Sequence, residues 1–387
     1  MLDSFKLTRR SDKNTKFLLK HYRKLISNFG MSKSNNFVKF LYEKLTQSDK
    51  KAQNIQYEFV RQHISSNPFE HINSSRFLHQ SIIDKAIQEI EFKYICKLTY
   101  ANIDFHITFY SRDIIDINKY IYITRIILAL CLDHITNNEK QIFHIDIILS
   151  SSKKSLPSSH GDVIEPKHIN SGFTMISEEK KYTLVFRSEE WIKVLIHEFF
   201  HLFCFDSHEH IARITRIFKD MYGIESNFLL FESIVEFWSR VINCGIVTFL
   251  LDRKMSLNEF SLIYNVNLNL EKIWSIHQSN RLLSHFGYTY ESLINKNIDK
   301  SKYIETTNTF NYTIVTAVLL INFDTVIQWF MINNNNVLRF EKDENSIILF
   351  LAMYKKFYKN KDLREIFQNV KKIKNSGYSL SLFEIDL

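Results

Sequence analysis

Apolar and polar positions divide this chain into three stretches. Up to about residue 95, "SNNFVKFLYEKL" and "FLHQSIIDKAIQEIEFKY" repeat apolar residues at helical spacing and predict helices. Residues 12–36 and 45–57, rich in Lys, Asn and Ser, read as looser connections. From about 97 the period changes. "LTYANIDFHITFYS" alternates and is rich in β-formers, so it predicts a strand, and "IFHIDIILSS" predicts another. Between them, "DINKYIYITRIILALCLDHI" predicts a helix with Asp116 as its N-cap. A loop, "SSKKSLPSSHGDVIEP", is followed by two short strands, "HINSGFTMI" and "KYTLVFR", joined by the turn "SEEK".

Ser188 is then placed to cap an apolar helix, "WIKVLIHEFFHLF", with Glu189 and Glu190 in its first turn, where the helix dipole favours acids. Beyond it the pattern is helical at 230–250, 256–277, 309–331 and 344–358. Ser256 and Glu259 form a capping box, and "NNNN" at 333–336 is a polar break. The fold predicted is α+β and mainly helical: a small, partly antiparallel sheet packs on the helix near 197, and a helical C-terminal subdomain closes a cleft. Two regions are expected. Residues 1–95 form a helical, basic N-terminal region, and 96–387 form one domain, with sheet and motif helix in 96–206 and the helical subdomain in 207–387.

Composition sharpens this picture. With 45% hydrophobic and 24% charged residues the chain is of globular type. Seven glycines and three prolines leave helices and short polar turns to dominate, and no Gly-rich phosphate loop is present. The longest apolar runs, "TIVTAVLLIN" and "VINCGIVTFLL", fall short of the ~20 residues of a membrane span, and the first 30 residues lack the apolar core of a signal peptide. Cys96, Cys131, Cys204 and Cys244 form no CxxC pair, so free thiols in a reducing compartment are expected. The net charge is +8, and "KLTRR", "DKNTK" and "KHYRK" concentrate it before residue 25. Such an arm suits nucleic acid or an acidic surface, although a lysine-rich chain also solvates itself this way.

The chemistry gathers in His197-Glu198-Phe199-Phe200-His201. Histidines four apart on a helix project from one face, and two imidazoles one turn apart can bind one zinc ion. Glu198 then lies where it can take a proton from an attacking water. Chance produces such spacing in roughly a few per cent of chains of this length. The setting argues against chance, because three polar side chains inside an apolar helix cost several kcal/mol unless they are paired or bind something. A third ligand is required. A histidine six residues beyond His201 is excluded by Ser207, and His208 and His210 are off register. "ESIVEFW" supplies Glu232 and Glu236, four apart on one helix face. Glu232 is the expected ligand and Glu236 the acid that orients a histidine through its ring N–H, with exchange of the two left open. Asn170 in "HINSGFT" is a candidate for clasping a substrate backbone beside an edge strand. His285, Tyr288, Tyr290 and Tyr312 are candidates to stabilise an oxyanion.

These blocks, "HINSGFT", "FRSEEWIKVLIHEFFHLFCFD", "ESIVEFW", "FGYTY" and "YIETTNTFNY", resemble proteins of large nucleocytoplasmic DNA viruses described as zinc-dependent metallopeptidases of undefined substrate. The resemblance spans roughly residues 140 to 320. It implies a zincin-like fold of the gluzincin arrangement: His197, His201 and Glu232 on zinc, Glu198 as base, and peptide or protein substrates. It also implies a place in the host cytoplasm or viral factory, or packaging in the virion, rather than secretion. Two other classes stay open: a zincin-fold virion or assembly protein without catalysis, and a nucleic-acid-associated protein using the basic arm.

Overall fold

The computed structural model describes residues 5–387 except 65–66, 68, 70–75, 101, 133–140, 179, 207–208, 342 and 371–376. Ser207, His208 and the end of the helix predicted at 116–135 therefore lie outside the described residues. The chain begins with β1 (Lys6–Leu7), α1 (Arg9–Phe29), α2 (Asn35–Asn54), β2 (Tyr57–His63) and α3 (Gln80–Glu89). It continues through β3 (Phe92–Tyr100), β4 (Ile103–Ser111), α4 (Ile117–Leu132), β5 (Gln141–Ile148), α5 (Pro166–Ile169), β6 (Gly172–Ile176) and β7 (Lys181–Val185). Then come α6 (Trp191–Leu202), α7 (Ile211–Tyr222), α8 (Leu230–Leu251), α9 (Leu257–His285) and α10 (Tyr290–Ile294). A π-helical turn (Asn311–Val315), α11 (Thr316–Ile321), α12 (Phe323–Asn333), α13 (Glu344–Phe357), α14 (Lys361–Asn369) and β8 (Ile385–Asp386) complete it.

The architecture is α+β and mainly helical. Six strands form one mixed sheet in the order β2-β3-β4-β5-β7-β6, and β1 and β8 form a second, two-stranded antiparallel one. In the large sheet β4, β5 and β7 run parallel, while β2, β3 and β6 are antiparallel to their neighbours. Alternation places Phe105, Ile107 and Phe109 of β4 in the main core with Phe143, Ile145 and Ile147 of β5. On the other face, Ile82, Ala86 and Ile90 at α3 cover Tyr110, Ile148 and Tyr182. α6 packs against β6 and β7, α8 crosses α6, and α9 lies along α8.

Several expectations change. The sheet is larger than predicted, because "LTYANIDFHITFYS" holds the end of β3 and all of β4, a hairpin rather than one strand. The helix predicted from 77 ends at Glu89, where Phe92 starts β3. The segments read as loose are largely α1 and the second half of α2: their apolar positions fall on one stripe, and Leu18, Ile26, Leu45 and Ala52 are buried. The boundary at 95 lies inside β3, and the basic arm is the helix α1, packed on α9. The helix predicted at 309–331 is broken by the π turn and bends by 89° between its last two segments. α8 is long and apolar enough to cross a membrane, but 94% of its apolar window is buried in the fold. A helix apolar all round suits that position. Ser256 and Glu259 form the capping box predicted for α9.

The start of α6 is also built differently. Ser188 is not its cap: the chain enters through Glu190 at φ 59°, and both glutamates precede the helix. Their carboxylates hold distant parts of the chain. Glu189 takes Arg10 of α1 and the backbone N–H of Lys154. Glu190 takes the Lys154 ammonium and the backbone N–H groups of Leu380 and Ser381. Those two residues belong to a strap, 378–383, that is buried throughout. Glu271 of α9 receives the next turn of the strap: its Oε2 accepts from Leu382 N at 2.9 Å and Ser381 Oγ at 3.2 Å.

Glu271 Oε1 has no hydrogen-bond partner among the described residues. Burial pushes this carboxyl up to about 7, against the pull of Arg240 and the strap N–H. The folded state therefore holds a proton that the unfolded chain releases near its ordinary value of 4.5, so stability present below that value is lost as pH rises through about 7. Glu271→Gln should remove most of this loss. Denaturant melts at pH 5 and pH 8 should show wild type losing on the order of 3 kcal/mol more than the variant across that interval.

Candidate metal centre

α6 is apolar on nearly every side, which buries it between the sheet and α8 and leaves the polar motif residues to face one another across a cleft. His197 and His201 lie one turn apart on α6, and α8 brings Glu232 in its first turn to the same point. Nε2 of His197 is 3.2 Å from Nε2 of His201. Glu232 Oε2 is 3.4 Å from the first and 3.6 Å from the second. Tetrahedral zinc with bonds of 2.0–2.1 Å spaces its ligand atoms at about 3.3 Å. The three atoms can hold one metal ion without rearrangement.

The hydrogen bonds behind the histidines give a second measure of fit. His197 Nδ1 lies 3.2 Å from Glu236 Oε2, and His201 Nδ1 lies 2.8 Å from Asp206 Oδ2. A carboxylate only accepts, so each Nδ1 carries a proton, and a ring that is neutral presents a lone pair at Nε2. Two such nitrogens and a carboxylate oxygen converge, with Tyr312 donating to the oxygen from one side. They repel unless a cation sits among them. The same field acts on protons: burial opposes charge on His197, but Glu232 and Glu236 outweigh it and raise its pKa. Against the same burial penalty, Glu232 and Asp206 raise that of His201 well above its ordinary value. Glu232 is held well below the usual carboxylate range, the nearby histidines overcoming the cost of its burial.

Glu236 stands behind His197, and it is itself clamped. Lys193 Nζ lies 3.0 and 2.9 Å from its two oxygens, and Arg240 Nε donates to Oε1 at 2.8 Å. Arg240 continues through Nη2 to the carbonyl of Tyr312 at 2.6 Å and through Nη1 to Ser275 Oγ at 2.8 Å. Burial disfavours the Glu236 charge, but Lys193 and Arg240 keep it ionised far below its ordinary range.

Glu198 is buried beside β6. Thr174 Oγ1 donates to its Oε2 at 2.9 Å, and burial raises its pKa against the pull of both histidines. The strand approaches so closely that a Cβ at Gly172 would stand 2.8 Å from Glu198 Oε1 and 2.9 Å from both Leu184 O and Val194 Cγ1.

Of the four oxyanion candidates, only Tyr312 reaches the site. It stands in the π-helical turn, its ring 5.7 Å from that of His197, and its hydroxyl donates to Glu232 Oε2 at 3.1 Å. The others are structural. His285 Nε2 donates to Asp162 O, Tyr288 to Asp299 O, and Tyr290 to Tyr358 O while stacking on Phe367. Asn170 lines the cleft, but its side chain is engaged: Oδ1 accepts from Thr307 at 2.6 Å and Nδ2 donates to Phe77 O at 3.3 Å. His210 is at the start of α7. Asp206, Thr174, Lys193 and Arg240 escaped sequence reasoning. Lys193 carried a usable signal, a cation one turn before His197 in an otherwise apolar helix, which needs a buried acid.

No protein-family model, curated protein or solved structure matches this chain.

Gly172→Ala should force β6 and Glu198 apart, because the atoms it would meet include backbone and a packed valine. A stability loss of about 1–3 kcal/mol is expected in thermal or denaturant melts, with far-UV circular dichroism unchanged.

Proposed function

We propose that this protein is a zinc-dependent metallopeptidase with a zincin-like fold of the gluzincin type. The observation that carries the reading is the convergence of His197 Nε2, His201 Nε2 and Glu232 Oε2 at 3.2–3.6 Å, with both Nδ1 atoms on carboxylates. Bound zinc would lower the pKa of a water toward neutrality and polarise a substrate carbonyl. The remaining work belongs to the chain. Glu198 follows the first ligand, is fixed by Thr174, and has a pKa raised by burial. A base so tuned can take a proton from the attacking water and deliver it to the departing amine. β6 lines the cleft and, among the described residues, pairs only with β7. Its outer edge offers main-chain groups to an extended peptide. From the opposite wall the Tyr312 hydroxyl can turn from Glu232 to a developing oxyanion. The sheet packed on α6 and the helical half closing the cleft support the zincin-like class. The viral resemblance extends the proposal to a protein of the infected cell's cytoplasm, viral factory or virion.

Elemental analysis tests the centre first. Purified protein should carry about one zinc per chain, and His201→Ala and Glu232→Ala should lose it. Asp206→Asn should weaken metal affinity by about 10–100-fold while leaving the ligands in place. Absence of zinc from wild type folded with metal supplied would sink the reading.

Catalysis is tested separately. Glu198→Gln should retain zinc and lose hydrolysis of a peptide library. Hydrolysis equal to wild type would remove Glu198 as base. Zinc without turnover by wild type would favour a zincin-fold assembly protein.

A further inference from the structure

The cleft holding the metal centre has a volume of about 610 Å³. Its charged lining is unevenly divided. Among the described residues four carboxylates line it, and all four are engaged around the candidate metal centre. Glu232 faces both Nε2 atoms, Asp206 and Glu236 take the two Nδ1 atoms, and Glu198 is bonded by Thr174. Apart from the histidines, every other titratable group that is charged at neutral pH in the described lining is a cation: Arg76, Lys154 and Lys193.

Lys154 and Lys193 share the inner end of the cleft with Leu380 of the strap, since Glu190 Oε2 binds both the Lys154 ammonium and the Leu380 N–H. Both lysines are more than nine-tenths buried. An ammonium has three donors. Among the described residues, Lys154 Nζ is hydrogen-bonded to Glu190 alone, and Lys193 Nζ to Glu236 alone. Glu236 is already shared with Arg240, so donors of the Lys193 ammonium stay open where water is scarce. Arg76 adds a solvent-exposed guanidinium to the lining, 4.8 Å over the ring of Phe77. An entering carboxylate would find unused ammonium donors. A lysyl side chain would meet two buried cations.

We infer that the inner end of this cleft is a subsite for a carboxylate, so that on the hydrolase reading above, on which this rests, the favoured substrates are acidic peptides. Two pairs that only braced the fold would give no such preference.

Binding to wild-type, zinc-loaded, full-length protein tests this without a variant that risks misfolding. Two series of short peptide hydroxamates are titrated by calorimetry; the hydroxamate chelates zinc whatever its neighbours. The variable side chain stands on the amino side of the chelator in one series and on the carboxyl side in the other. Each series runs through aspartyl, glutamyl, leucyl and lysyl members. In one series the acidic members should bind at least about tenfold more tightly than the leucyl member, with the lysyl member weakest. Arg76→Ala should reduce that ratio. Equal binding of acidic and leucyl members in both series would overturn the subsite and leave the metal reading standing. Failure of every hydroxamate to bind would overturn both.

Discussion

Three lone pairs brought to one point inside a protein repel unless something positive lies between them, and much of this fold is arranged to bring them there. His197 and His201 come from one helix and Glu232 from another, so the crossing of α6 and α8 sets the distances. That crossing is fixed by charge as well as packing. Glu236 ties α8 to α6 through Lys193 and to the Tyr312 turn through Arg240. Glu236, Lys193 and Arg240 each have an opposite charge beside them, which is the condition for tolerating such groups away from water. The cost of breaking one pair would therefore spread beyond it, because the acid that steadies His197 also anchors the wall that carries Tyr312.

Much of the site was legible before the fold was known, for a local reason. The motif His197-Glu198-Phe199-Phe200-His201 and the pair Glu232 and Glu236 each use helical spacing, and helical spacing is a property of neighbouring residues. Asp206 was passed over because the search after His201 looked for a histidine in register, while a carboxylate in the turn after the helix reaches back to Nδ1 just as well. Tyr312 could not be chosen among eighteen tyrosines, because its selection depends on a π-helical turn and on Arg240, some 70 residues away in sequence. His285, Tyr288 and Tyr290 failed for the same reason. Their hydroxyl or ring N–H groups satisfy backbone carbonyls of nearby loops, a use that spacing does not reveal.

At the level of the fold, period identified element type better than extent. β3 and β4 merged in the sequence pattern because a tight hairpin interrupts alternation only briefly. Residues 12–36 and 45–57 looked loose because their polar faces are long, yet a narrow apolar stripe including Leu18, Ile26, Leu45 and Ala52 is enough to dock two helices. Glu189 and Glu190 were assigned to a helix dipole. The structure gives them partners from both ends of the chain instead, an outcome that no local rule contains.

The strap has a consequence for how the molecule is made. α6 leaves the ribosome well before the residues that complete its entry: Leu380 follows Glu190 by 190 positions, and Glu384 lies 376 positions after its partner Thr8. Until those residues arrive, the Glu190 carboxylate at the start of the motif helix lacks its backbone donors. Closing contacts so far apart in sequence is slow. The nascent chain should therefore pass through a stage in which the sheet is formed but the motif helix is not yet locked, and a metal ion encountered then would meet ligands whose spacing is still being set.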